Sequence, residues 1–294
     1  MATTVQTVIN RCLLPFRHKD PIDVLAGGMT TTSVIVAATF NYRIAESSVL
    51  EIDTELLFVT SWDSTNKIAT VRRGRFGTIA TNHDLGAPIY SNPRFPRRDI
   101  FSFINMSLDD MYPKLFDIGE VSLVYDGGLI GYNLVANMGK VIAVSAEFDS
   151  SVKHWEYVHD WQVVTVPSTE FASGKALMLR VSLAHGSKIN VVHAKPFTRL
   201  TLEGQDLEAD GGLESYMVDL PYYYAMSRLL SIEEVHRIQV DTAEAHQRAQ
   251  DTPGFLALRT GEWYKARYDD LMLTCMQRQR DEVAHMTGVA GYGR

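Results

Sequence analysis

The sequence predicts an α+β fold, and the changing period of its apolar residues carries that expectation. Short runs rich in β-branched and aromatic residues fill the first part of the chain, as in "SVIVAATF" (33–40), "LLFVTSW" (56–62) and "IATVRR" (68–73). Residues 96–116 switch to spacings of three and four, the period of a helix face. Alternation returns over 119–202, and helical spacing returns after 213. The expected architecture is a small N-terminal β-domain with a helix, a central antiparallel β-sandwich (jelly-roll-like) inserted into the chain, and C-terminal helices. The expected boundaries are 1–118, 119–202, a linker at 203–212, and 213–294.

In the N-terminal domain, the turn cluster "WDSTNK" joins two strand runs into a hairpin. "GAPIY" (86–90) is a further short strand. The helix of this domain is placed at 97–116. Pro96 suits its start, and Ile100, Phe103, Ile104, Leu108, Met111 and Leu115 form its apolar face. Pro113 is expected to kink or end it. Six runs follow in the sandwich: "EVSLVYD", "YNLVA", "KVIAVSAEF", "DWQVVTVP", "ALMLRVSL" and "INVVHAKPF". Turn residues separate them every ~8–12 residues, the rhythm of an antiparallel sandwich. "EGQDLEADGG" (203–212) is polar and acidic, the composition of a linker. Ser231 and Glu234 have the spacing of a capping box, and a last long helix is expected to carry Trp263, Tyr264, Arg267, Leu271, Cys275 and Gln279. The helix at 97–116 is expected to pack with these helices across the inserted sandwich.

The 294 residues are 46% hydrophobic and 21% charged, with enough apolar material for a core. A formal net charge of -7 argues against a globally basic nucleic-acid binder. Cys12 and Cys275 lie far apart in the chain and form neither a disulfide framework nor a zinc pattern, so both are expected as reduced thiols. No apolar run approaches membrane-spanning length, and the first twenty residues lack the pattern of a secretory signal.

The stretch "IATVRRGRFGTIATNHDLGAPIY" (68–90) carries the most information. It lacks the spacing of a phosphate loop, and no helix follows its glycines. Gly74 and Gly77 suit a tight hairpin, with Val71 and Ile79 on facing strands. Lys67, Arg72, Arg73, Arg75, Arg94, Arg97 and Arg98 crowd one window whose only acid is Asp84. Such asymmetry is either a solvated basic face or a docking surface for an acidic partner or nucleic acid.

Neither H-E-x-x-H nor G-x-S-x-G occurs, so no catalytic site and no cofactor are expected. His154, Glu156 and His159 suggest a metal-dependent hydrolase, but spacing fixes no third ligand and no metal is expected. Trp155, Tyr157 and Trp161 suit either packing anchors or a glycan platform on the sandwich. Tyr222, Tyr223 and Tyr224, in "PYYYAMSRLL", suit core or interface.

The 68–90 stretch also resembles a strand–"RG-x-x-GT-x-A-x-x-H-x-x-G"–strand segment of tailed-bacteriophage virion proteins of the neck and tail. The matching residues are Arg73, Gly74, Gly77, Thr78, Ala80, His83 and Gly86. The helix after it resembles one found in head–tail junction proteins, and the resemblance covers residues 50–116. It implies a structural, non-enzymatic protein of the virion, a head-to-tail connector or adaptor made in the host cytoplasm. It further implies a homo-oligomeric ring that meets portal and tail proteins and surrounds passing DNA without sequence-specific binding, with no membrane partner. Arg72, Arg73, Arg75, Arg97, Arg98 and the three tyrosines are then the expected interface. The alternative is a tail-tip or collar protein whose sandwich binds glycan.

Overall fold

The computed structural model describes residues 3–16, 21–33, 35–37, 44–127, 129, 131–136, 138–149, 154–165, 170–232 and 256–286. It is an α+β fold with helices and several antiparallel sheets. The chain opens with a helix that the sequence analysis did not assign, α1 (Val5–Leu13). Thr4 caps it by accepting from the Thr7 N–H, and Val5, Val8, Ile9 and Cys12 form its buried face.

The N-terminal sheet has six strands, β1 (Asp23–Val24), β2 (Ile35–Ala37), β3 (Val49–Ile52), β4 (Glu55–Asp63), β5 (Ile68–Arg72) and β6 (Pro88–Ser91). Their order is β1-β6-β3-β4-β5-β2, with every neighbour antiparallel. Leu50, Ile52, Leu57, Val59, Val71 and Ile89 fill its core. The predicted β4–β5 hairpin is present, and Asp63 accepts from the N–H groups of Thr65 and Asn66 in its turn. The expected second hairpin is absent. Residues 73–87 form turns rather than a strand, and Ile79 is 81% exposed while Val71 is buried.

Helix α2 (Arg97–Met111) buries Ile100, Ile104, Leu108 and Met111. It stops short of the expected residue 116 because Pro113 lacks an N–H and its ring clashes with the preceding turn. The sandwich follows: β7 (Asp117–Val124), β8 (Gly131–Asn133), β9 (Val141–Asp149), β10 (His154–Tyr157), β11 (Trp161–Thr165), β12 (Lys175–Leu179) and β13 (Lys188–Lys195). A four-stranded sheet, β10-β9-β13-β7, and a three-stranded sheet, β11-β12-β8, share one core that includes Leu134, Val144, Leu177, Ile189 and Val191. Six strands match the expected runs. The seventh, β10, is short and exposed on both faces, so no hydrophobic alternation marks it.

Residues 203–212 are not a free linker. Leu207 is fully buried, Thr4 bridges to Asp206, and the Val5 N–H donates to the Gln205 carbonyl. Two acids of this stretch close its turns: Asp206 accepts from the N–H groups of Glu208 and Ala209, and Asp210 accepts from the Asp206 N–H. Helix α3 covers residues 220–232, and α4 is Leu256–Met286. Ser231 lies inside α3 and donates to the Ser227 carbonyl instead of starting a helix, while Glu234 lies outside the described residues. One apolar cluster joins α1, α2, α3 and α4 across the sandwich, with Cys12 and Cys275 both buried in it as free thiols. Among the described residues no helix is long and apolar enough to cross a membrane.

Candidate functional site: a clamped loop

The site builds outward from Glu55, at the start of β4. Its side chain is fully buried, and so is nearly all of Arg73 at the end of the neighbouring β5. The guanidinium grips the carboxylate with two parallel bonds, Nε to Oε1 and Nη2 to Oε2, each 2.6 Å. The Gly74 N–H reaches Oε1 at 3.0 Å and the Thr81 N–H reaches Oε2 at 3.0 Å. His83 Nε2 lies 2.9 Å from Oε2, and its Nδ1 lies 2.6 Å from Asp53 Oδ2. Arg73 also donates from Nη1 to the carbonyls of Thr30 (2.8 Å) and Ser33 (3.0 Å).

Burial opposes ionisation of Glu55, but the bonds from Arg73, His83, Thr81 and Gly74 override it and hold its pKa at about 2. Burial likewise disfavours the imidazolium of His83. The hydrogen bonds to Asp53 and Glu55 outweigh that and raise its pKa. Both carboxylate oxygens are therefore occupied, and the cluster is a structural clamp.

The clamp fixes the base of the loop at residues 74–86. Gly74 (φ 59°) and Gly77 (φ 76°) take the left-handed conformation that glycine adopts without penalty. Thr78 Oγ1 accepts from the Leu56 N–H and donates to the Arg75 carbonyl. Arg98 Nη1 donates to the Phe76 carbonyl at 2.8 Å, tying the tip to the start of α2. On this fixed backbone Phe76 (62%), Ile79 (81%) and Leu85 (70%) stand exposed. Arg72 and Arg75 are exposed beside them.

A second buried acid docks the helix. Glu51 of β3 accepts from the Arg97 N–H through Oε1 at 2.6 Å, a cap supplied from another element because Pro96 makes none. Burial pushes its pKa up to about 8, and Oε2 has no hydrogen-bond partner among the described residues. The Arg97 side chain pairs with Glu203 at 2.6 Å and reaches Asn10 at 2.9 Å.

These contacts revise the expected interface. Arg73 and Arg97 are internal ties, because acids distant in sequence, Glu55 and Glu203, neutralise them inside the fold. Arg98 is half-buried against the loop, which leaves Arg72 and Arg75 as the exposed pair. Tyr222 and Tyr224 are buried within the chain's own helical core, not held open for a subunit contact, and Tyr223 packs half-buried beside them. Their rings meet Tyr264 and Tyr268, and Arg11 lies 3.9 Å above the Tyr222 ring.

On the sandwich, Trp155 (42%) and Tyr157 (47%) are exposed on edge strand β10. Trp161 packs against the sandwich core, and with Tyr157 and His159 it lines a cavity of about 280 Å³. His154 and Glu156 bond to each other at 2.6 Å on the surface. Among the described residues no three His, Cys, Asp or Glu side chains group as metal ligands.

Sequence reasoning found Arg73, the glycines and His83 but missed Glu55, Asp53, Glu203 and the exposed tip. A signal was present: Glu51 and Glu55 are isolated acids inside the apolar run "VLEIDTELLF". Such acids are buried only with partners. No family model matches the chain, and no curated protein matches it.

Proposed function

We propose that this protein is a structural subunit of a tailed-bacteriophage particle, a head-to-tail connector or adaptor that forms a homo-oligomeric ring around the DNA channel. The observation that carries the proposal is the loop at 74–86. A buried ionic cluster holds Gly74, Thr81 and His83, while Phe76 and Ile79 between them, and Leu85 beyond, are exposed, as are Arg72 and Arg75. Large apolar side chains exposed on an ordered loop support the reading of a contact surface. Ordering the loop before contact lowers the entropic cost of association. The same loop carries the residues that resemble virion proteins of the neck and tail. Portal and tail proteins are the proposed neighbours, and the net negative charge suits a channel through which DNA moves without being gripped.

Gold-labelled antibody against this protein, imaged on particles by electron microscopy, tests the location. Gold at the vertex between capsid and tail is expected. Absence of gold from every particle would overturn the virion assignment.

A second reading has its own observation. Trp155 and Tyr157 are exposed on one strand, and Tyr157 shares a cavity with Trp161. Aromatic faces of this kind bind sugar rings, which fits a tail-tip or collar protein that touches host glycan. This reading expects gold at the distal tip and saturable binding to host polysaccharide, lost in Tyr157→Ala.

A further inference from the structure

A cavity of about 350 Å³ lies where the end of α2, the sandwich and α4 meet, far in sequence from the clamped loop. Its size falls within the range of small-molecule sites, about 300–1,000 Å³. Phe116, Ile142 and Met276 supply an apolar lining. Lys114, Lys140 and Arg280 also line it, and no carboxylate does. Among the described residues none of these three cations has an acidic partner, although the chain as a whole is net acidic.

The walls are held firmly. Met276 and Arg280 share one face of α4 with Gln279 between them in the same stripe. The Gln279 side chain is buried, and its amide donates to the Phe116 carbonyl at 2.6 Å while its oxygen accepts from the Phe116 N–H at 3.3 Å. This two-point bond fixes α4 against the segment that leads into β7. Lys114 and Lys140, exposed like Arg280, line the cavity from two other segments, so cationic side chains from three separate parts of the chain border one hollow.

We propose that this cavity binds an organic anion with an apolar body, such as a carboxylate on a short alkyl or aryl group. The anionic head would be held by Lys114, Lys140 and Arg280, and the body would cover Phe116, Ile142 and Met276. Both halves are needed. An apolar ligand would forgo the attraction of the exposed Lys114, Lys140 and Arg280, and an inorganic anion would leave the lining wet. The site is independent of the assembly reading.

Isothermal titration calorimetry with sodium octanoate at low salt tests it on the full chain. Saturable one-to-one binding is expected, weakened at least tenfold in Lys140→Glu/Arg280→Glu and weakened by added salt. Octylammonium and inorganic phosphate are expected not to compete. Thermal melting of the double variant checks its fold; if it is unfolded, Lys140→Gln alone is titrated and a loss of several-fold is expected. Octanoate binding that is absent, or equal in wild type and folded variants, overturns the proposal. Phosphate or short duplex DNA binding as tightly as octanoate also overturns it, since either would make the site a phosphate patch with no use for the apolar lining.

Discussion

Glu51 and Glu55 sit one strand end apart, both fully buried, and their surroundings drive their acidities in opposite directions. Glu55 has five hydrogen-bond contacts, two of them from Arg73, so its folded pKa of about 2 lies below the ordinary 4.5. Its stabilisation is present above pH 4.5 and is lost as pH falls towards 2. Glu51 has one backbone donor, and its folded pKa of about 8 lies above 4.5. The folded state then holds a proton that the unfolded state has released, so stability falls as pH climbs from 4.5 through 8. His83 acts in the same direction. Its raised pKa gives stabilisation that is complete below 6.5 and lost as pH rises through the folded value. The expected result is a higher melting temperature at pH 5 than at pH 8, measured by calorimetry, with a visibly flatter slope in Glu51→Gln. A melting curve independent of pH over this window would refute the burial of a protonated Glu51. Glu55→Gln removes one partner of a buried pair and is expected to cost about 3–5 kcal/mol in urea unfolding. Arg73→Lys keeps the charge but loses the two-point grip, and is also expected to destabilise. Half of this cluster was legible in the sequence. Arg73, Gly74 and His83 stand within one short motif, whereas Glu55 is brought beside them only by the register of β4 on β5. Register depends on the whole sheet, so no local pattern named the partner.

At the scale of elements, the loop at 74–86 shows how hydrogen bonds outside a ladder replace one. Gly74 and Gly77 take the turn positions that the sequence predicts. The strand expected beyond them did not form, because the carboxylate of Glu55 takes the N–H groups of Gly74 and Thr81 that a facing strand would have bonded. Gly77→Ala is expected to lose about 1–2 kcal/mol from the positive φ alone. The new methyl would also press on Arg98 Nη1 at 3.1 Å, loosening the tip as judged by faster amide exchange over 75–80. Strongly periodic elements were easy to read: α2, α4 and six sandwich strands. Helix α1 was not, because polar residues dominate its exposed side and its partners, Leu207 and Leu213 among them, come from late in the chain. The acidic turn at 203–212 has the composition of a linker because its one buried large apolar side chain, Leu207, stands among acids, of which Asp206 serves as a local hydrogen-bond acceptor. Gln279→Ala leaves the Phe116 N–H and carbonyl unpaired, an expected cost of about 1–3 kcal/mol read by denaturant unfolding.

For the whole molecule, the proposed assembly rests on separation of roles. The charges inside the N-terminal part hold the fold, and the apolar tip is left for a neighbour. Phe76→Asp/Ile79→Asp is therefore expected to leave the melting temperature nearly unchanged while abolishing oligomers in sedimentation velocity. Unchanged oligomers in the folded variant would reject the loop as the contact. The path of the chain has a separate consequence. The sandwich begins with β7 and ends with β13, which pair along their length from Asp117↔Lys195 to Lys188↔Val124. Opposite residues on paired antiparallel strands lie about 5 Å apart, so the chain leaves the helical core and re-enters it through a single doorway. A short turn could bridge that gap. The sandwich is then expected to be separable from helices α1 to α4, to which the chain returns. Splicing residues 117 and 195 through a short turn should yield a smaller protein that still folds cooperatively.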